Sequence, residues 1–265
     1  MRTVRNYVQE VRFLFAYYNL LLPDVFTKDY IIDYLNFIQK VHGVGRDKCR
    51  MAASSFSFFF KYILVIPNLV PESFYPRKAF RIPEILSVEQ MAHLLNSIQN
   101  IKHKAIVGMF YGTGMRLAEL RSLEMSHLQR ADFQVKVVKG KGNKDRFTLL
   151  PKNILVLLEE YYRLDKPQRY LFEGQIAGQP MNDRSIQHAV SKCLMDAGFE
   201  AKKFSSHNFR HSFATHLLDD GVDIHTIKEL LGHSNIETTM IYLHLTKKKR
   251  AALVSPFDRL SDEKK

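Results

Sequence analysis

Two cysteines, Cys49 and Cys193, are all that 265 residues contain, and they lie far apart without paired spacing. That excludes a disulfide-stapled secreted scaffold and a multi-cysteine zinc module, and it points to a reducing, cytoplasmic compartment. Long apolar runs are missing as well. No uninterrupted stretch approaches the roughly 18 to 20 residues of a membrane span, and Met1-Arg2-Thr3-Val4-Arg5 breaks any apolar start, so a soluble, unexported protein without a membrane partner is expected. Internal repeats and low-complexity tracts are absent. Acidic residues are in deficit: 27 Asp and Glu stand against 39 Lys and Arg, for a net charge of +12 and a pI of about 9.6. Such a chain suits a polyanion, with nucleic acid ahead of an acidic membrane because no segment is both strongly amphipathic and basic. The 46% of hydrophobic residues excludes wholesale disorder, and the length allows one large domain or two smaller ones.

Three helices are expected first. Val4, Tyr7, Val8, Val11, Leu14, Phe15 and Tyr18 recur at three-and-four spacing. Thr27 precedes a second periodic run, Ile31 to Ile38, ended by Gly43-Val44-Gly45. A third helix is expected from Arg46 to Ile66, with Phe56, Phe58, Phe59, Phe60 and Tyr62 read as core. Pro67, Pro71, Pro76 and Pro83, interleaved with Arg77, Lys78 and Arg81, then argue for a basic linker over about 67–86. The domain boundary falls at 80, giving units 1–80 and 81–265. Through Phe80 there are 11 basic and 6 acidic residues, and beyond it 28 and 21, so both units are basic.

Beyond the linker, Ser87 and Gln90 form a capping-box pattern opening a helix, and a buried helix is expected from Lys102 to Tyr111. A Gly112-Thr113-Gly114 turn precedes a short helix from about Leu117 to Leu123. Phe133 to Val138 and Phe147 to Leu150 read as a hairpin with the tip Gly140-Lys141-Gly142-Asn143. Helices follow Pro151. The fold class is mainly α with a small antiparallel β-sheet, an α+β arrangement.

Four segments could carry chemistry. In Gly112-Thr113-Gly114-Met115-Arg116-Leu117-Ala118-Glu119-Leu120, Arg116 enters a helix near free N–H groups, a good place for a phosphate, although an arginine paired with Glu119 or Glu124 is the plainer reading. In Gly140-Lys141-Gly142-Asn143-Lys144, two glycines let Lys141 approach a ligand closely; the Walker spacing is lacking, which argues against nucleotide hydrolysis. In Ser206-His207-Asn208-Phe209-Arg210-His211, one helix face brings His207, Arg210 and His211 together. A cation between imidazoles suits a phosphate better than zinc. In Leu231-Gly232-His233-Ser234 through Tyr242, one helix ends and another begins, which by itself is similar to a helix-turn-helix.

Taken together, Arg116, Lys141, His207, Arg210, His233 and Tyr242, in this order and nested in Gly-Met-Arg-Leu-Ala-Glu-Leu, Gly-Lys-Gly-Asn-Lys, His-Asn-Phe-Arg-His and Leu-Gly-His-Ser, resemble the active site of the tyrosine recombinase (phage integrase) family. The resemblance spans about Ser87 to Leu245 and is nearest to the Xer-like and integron-integrase branches; Ser255-Pro256-Phe257-Asp258 in the brief tail is also similar to integron integrases. It implies a helical, SAM-like core-binding domain followed by a catalytic domain. The implied activity is site-specific cutting and rejoining of DNA through a 3′-phosphotyrosyl intermediate, for integration, excision or resolution, without metal or other cofactor. Tyr242 would be the nucleophile, Arg116 and Arg210 the phosphate clamp, and Lys141 the acid for the leaving 5′-oxygen. His207 and His233 would assist by proton transfer and hydrogen bonding, with His207 the base toward Tyr242. His211, His216 and His244 receive no catalytic role. The implied partners are double-stranded DNA recombination sites and a homo-tetramer, or a paralogous recombinase, on that DNA. A non-catalytic DNA-binding regulator with a helix-turn-helix-like C-terminal segment is the alternative.

Overall fold

The computed structural model describes residues 2–19, 21–66, 69–75, 83–138 and 145–244. Much of the expected linker, the hairpin tip with Lys141, and the tail from 245 onward lie outside the described residues. The chain divides into two compact units, Met1–Phe80 and Arg81–Lys265.

The first unit is built from α1 (Arg2–Tyr17), α2 (Lys28–Lys40) and α3 (Arg46–Phe58), the last continuing through one wider turn at Phe59–Ile63. Leu14, Phe26, Ile31, Leu35, Phe56 and Phe60 make its core. The aromatic run expected to be core divides: Phe56 and Phe60 are buried, whereas Phe58 and Tyr62 are 48% and 64% exposed. Helical geometry explains the correction, because residues four apart share a stripe and those two apart lie on opposite faces. Glu10 is buried and pairs with Lys48 across α1 and α3.

The second unit opens with α4 (Val88–Ser97), whose Ser87 and Gln90 form the expected reciprocal cap. Helix α5 (Ile101–Thr113) has no polar stripe: Ala105 through Phe110 are all buried. Such a helix must be surrounded, and α7 (Lys152–Asp165), α8 (Asp183–Asp196) and α9 (Ser206–Asp219) pack around it. The expected Gly112-Thr113-Gly114 turn is shorter than its glycines suggest, since Gly112 and Thr113 finish α5 and only Gly114 leaves it. A five-residue α6 (Leu117–Arg121) follows.

The sheet is antiparallel in the order β1-β2-β3, from β1 (Leu128–Gln129), β2 (Gln134–Val137) and β3 (Arg146–Leu149). Val135 pairs with Thr148 and Val137 with Arg146. Sequence periodicity misses β1 because two residues carry no alternation. The unit closes with α10 (Ile224–Leu231) and one turn of α11 (Glu237–Met240), which tightens into a 3-10 turn, Ile241–His244, bearing Tyr242. The helix expected to carry Tyr242 is thus a single turn followed by a tighter one. No helix among the described residues is long and apolar enough to cross a membrane.

Candidate active site

Arg210 lies on the first turns of α9, whose start is set by Ser205, capped reciprocally by Asn208. Arg210 is 4% exposed, and its guanidinium donates to two backbone carbonyls, Nη1 to Gly114 O at 2.6 Å and Nη2 to Leu231 O at 2.7 Å. Those oxygens belong to the C-terminal ends of α5 and α10, where carbonyls lack helical partners and the dipole is negative. A buried cation is thus compensated by two helix ends rather than by one carboxylate. Burial, together with Arg116, draws Arg210 down to about 9, so it stays charged at neutral pH. Each Nη carries a second N–H for a further acceptor.

Both helix ends depend on glycine. Gly114 has φ +63° and Gly232 has φ +64°, the left-handed region that other residues enter at a cost. A β-carbon at Gly114 would stand 2.5 Å from Phe213 Cδ1, and one at Gly232 2.6 Å from Arg146 Cδ.

Arg116 reaches the same Leu231 carbonyl with Nη1, at 3.5 Å, which sets it beside Arg210. Glu119 takes the Arg116 backbone N–H at 2.7 Å and its Nη1 at 2.9 Å. The N–H expected to remain free for a phosphate is therefore capped internally, and what Arg116 offers is its side chain. Glu119 is itself buried and receives a two-pronged bond from Arg146, Nη1 to Oε1 at 2.9 Å and Nη2 to Oε2 at 2.8 Å. Burial alone would raise its carboxyl, but Arg146 and Arg116 outweigh that and hold it at about 2. Arg146 also donates from Nε to Leu230 O at 2.9 Å, tying β3 to the end of α10.

His233 follows Gly232 directly, and its Nδ1 meets Thr239 Oγ1 at 2.8 Å. Burial and the positive charge of Arg210, Arg116 and Arg146 push it down to about 3, so it is neutral. Tyr242 is 1% exposed, and its hydroxyl lies 3.1 Å from His211 Nδ1. Burial raises the Tyr242 phenol to about 12, against the pull of Arg210 and Arg116. His207, one turn before His211, is exposed at the edge.

The structure thus brings Arg116, Arg210, His233 and Tyr242 into one cluster with His207 at its rim, while Lys141 lies outside the described residues. It adds three side chains outside the six expected positions: Glu119, Arg146 and His211. Glu119 was visible as a partner three residues from Arg116; nothing local marks Arg146 as folding back on α10. Among the described residues, no three His, Cys, Asp or Glu side chains gather as a metal-holding group.

The sequence pattern of the phage integrase family matches residues 84–249. The chain belongs to that family. The tyrosine recombinase XerD of Listeria innocua is 30% identical to this recombinase over 92% of the chain and 88% of its own length. A tyrosine recombinase of Thermosipho africanus is 27% identical over 94% and 90%. Among solved structures, the XerH site-specific recombinase bound to palindromic difH substrate superposes with a TM-score of 0.76 at 22% identity, over 93% of this chain and 77% of that one. This recombinase is accordingly an enzyme that breaks and rejoins DNA strands in site-specific recombination, and nothing in these relatives favours the regulator reading.

Proposed function

We propose that the chain recombines double-stranded DNA sites by transient attachment through Tyr242. The observation that carries this reading is the sharing of Leu231 O by Arg116 and Arg210, two cations close enough to the buried Tyr242 for their charge to act on its phenol. A side-chain nucleophile keeps the energy of the phosphodiester in an ester, where water would lose it. The Tyr242 oxygen attacks the scissile phosphate, a 5′-hydroxyl leaves, and a 5′-hydroxyl from a partner strand reverses the step. Arg116 and Arg210 hold the non-bridging oxygens as charge accumulates, a task for planar, two-pronged donors fixed in advance. His233, with Nδ1 engaged by Thr239, turns Nε2 to the phosphate. Lys141 protonates the leaving oxygen, and His207 contributes from the rim.

The DNA partner rests on the two basic units and on relatives whose structures hold recombination-site DNA. Binding by so many cations weakens steeply with salt. Four protomers act on two sites in the cytoplasm, as one species or together with a paralogous recombinase.

The test is covalent trapping: wild type and Tyr242→Phe are incubated in chelator with nicked duplexes drawn from DNA flanking the gene, with shift assays alongside. A denaturant-stable adduct formed only with Tyr242 supports the reading. Bound duplex without any adduct in wild type overturns it in favour of the DNA-binding regulator.

A further inference from the structure

Among the described residues, the Tyr242 hydroxyl has one imidazole within hydrogen-bonding distance, that of His211, with Oη to Nδ1 at 3.1 Å and the ring centroids 5.6 Å apart. From this geometry we propose that His211, rather than His207, accepts the proton from Tyr242 as the tyrosine attacks DNA. The inference rests on the reading of Tyr242 as nucleophile.

The surroundings of this pair support it. Buried to 1% exposure, Tyr242 keeps its proton at neutral pH, so the proton must leave as the new bond forms. His211 is half-buried, and desolvation with His207 and Arg210 nearby holds it at about 4, hence neutral and able to accept. A phosphodiester docking on Arg210 offsets one of the charges that suppress its basicity, so the imidazole becomes a better base when substrate is present. His207 stands on the same face of α9, where partial burial with Arg210 and Arg116 lowers its proton affinity as well, but it is the His211 ring that meets the Tyr242 hydroxyl, and His233 Nδ1 is committed to Thr239.

The balance is simple. With the hydrogen of neutral His211 on Nε2, the Tyr242 Oη–H proton moves to Nδ1 while the Oη–P bond forms and the bond from phosphorus to the 5′-oxygen breaks; the 5′-oxygen takes its proton from Lys141. On rejoining, a 5′-hydroxyl attacks, and the departing tyrosine recovers its proton from the His211 imidazolium. The same contact serves both directions.

The experiment is single-turnover cleavage of a bound duplex by the full chain, comparing wild type, His211→Ala, His211→Gln and Tyr242→Phe. Each is run on an ordinary substrate and on one whose 5′-bridging oxygen is replaced by sulfur, which leaves without an acid. Both His211 variants should bind DNA normally yet cleave about 100- to 1,000-fold more slowly, within the range of general base catalysis. The deficit should be equal on both substrates, and added imidazole should restore part of the rate to His211→Ala. A His211→Gln rate within about threefold of wild type would overturn the proposal, because glutamine can hold the tyrosine but cannot take its proton. So would a sulfur substrate that erases the deficit, since that places His211 at the leaving group. If Tyr242→Phe still forms the adduct, the nucleophile reading itself fails. If Tyr242→Phe is inert while His211→Ala matches wild type, only this proposal falls.

Discussion

The arginine half of the site and the tyrosine half are secured in opposite ways. Arg116, Arg146 and Arg210 are anchored repeatedly: Glu119 binds two of them, Leu231 O receives two, and Gly114 O and Leu230 O complete the net. Tyr242 instead sits on a 3-10 turn after a one-turn helix, buried by packing and, among the described residues, held by a single side-chain hydrogen bond. Charge explains the difference. Several cations in little space repel one another and need fixed acceptors when no DNA is present, whereas a neutral phenol needs only an apolar seat. The half that stabilises charge is thus rigid before substrate arrives, and the half that moves a bond and a proton is more lightly held.

The largest effect should come from Glu119→Ala. It leaves Arg146, with 10% of its side chain exposed, without its carboxylate. A loss of about 3 to 5 kcal/mol in unfolding free energy is expected in urea titrations. A loss below 1 kcal/mol would mean that the carbonyls alone suffice and that the contrast between the halves is overstated.

Gly114→Ala comes next, combining a left-handed backbone with a β-carbon 2.5 Å from Phe213. A cost of about 2 to 4 kcal/mol is expected, together with slower cleavage, because the same residue's carbonyl holds Arg210. Unchanged thermal stability would show that the turn can relax.

Acid should separate the halves. His211 and His233 titrate in the fold near 4 and 3, below their ordinary 6.5, so the unfolded chain takes up protons first and stability declines as pH falls from about 6.5. Glu119, held near 2 against 4.5, keeps its contribution above about 4.5 and loses it only as pH drops toward 2. Unfolding midpoints should therefore begin to fall below pH 6.5 and steepen below 4.5. In a Glu119→Gln variant the second phase should shrink while the first remains, and a flat profile between pH 7 and 5 would sink the assignment of neutral imidazoles.

The smallest effect belongs to Tyr242→Phe measured as stability. Removing one hydroxyl whose partner is a half-buried imidazole should cost about 0.5 to 1.5 kcal/mol by thermal unfolding, even though strand cleavage is lost. A larger cost would mean that the tyrosine half is anchored as firmly as the arginine half.

Local patterns in the sequence already determined a good deal. The helical periodicities, the Ser87 cap and the β2–β3 pairing are short-range features, written within a few residues by backbone geometry and capping chemistry, whereas Arg116, Arg210, His233 and Tyr242, spread over more than a hundred residues, were legible only through the short motifs that resemble a known family. Tertiary structure alone decided which groups meet. Arg146 stands 27 residues from Glu119 and 84 from Leu230, and His211 stands 31 from Tyr242, so no periodicity links them. Their contacts exist because the buried helix α5 is wrapped on several sides, which brings β3, α9 and α10 to its C-terminal end. Desolvation there sets the proton affinities of His211, His233, Glu119 and Tyr242, and desolvation is a property of the packed fold that no stretch of sequence carries by itself.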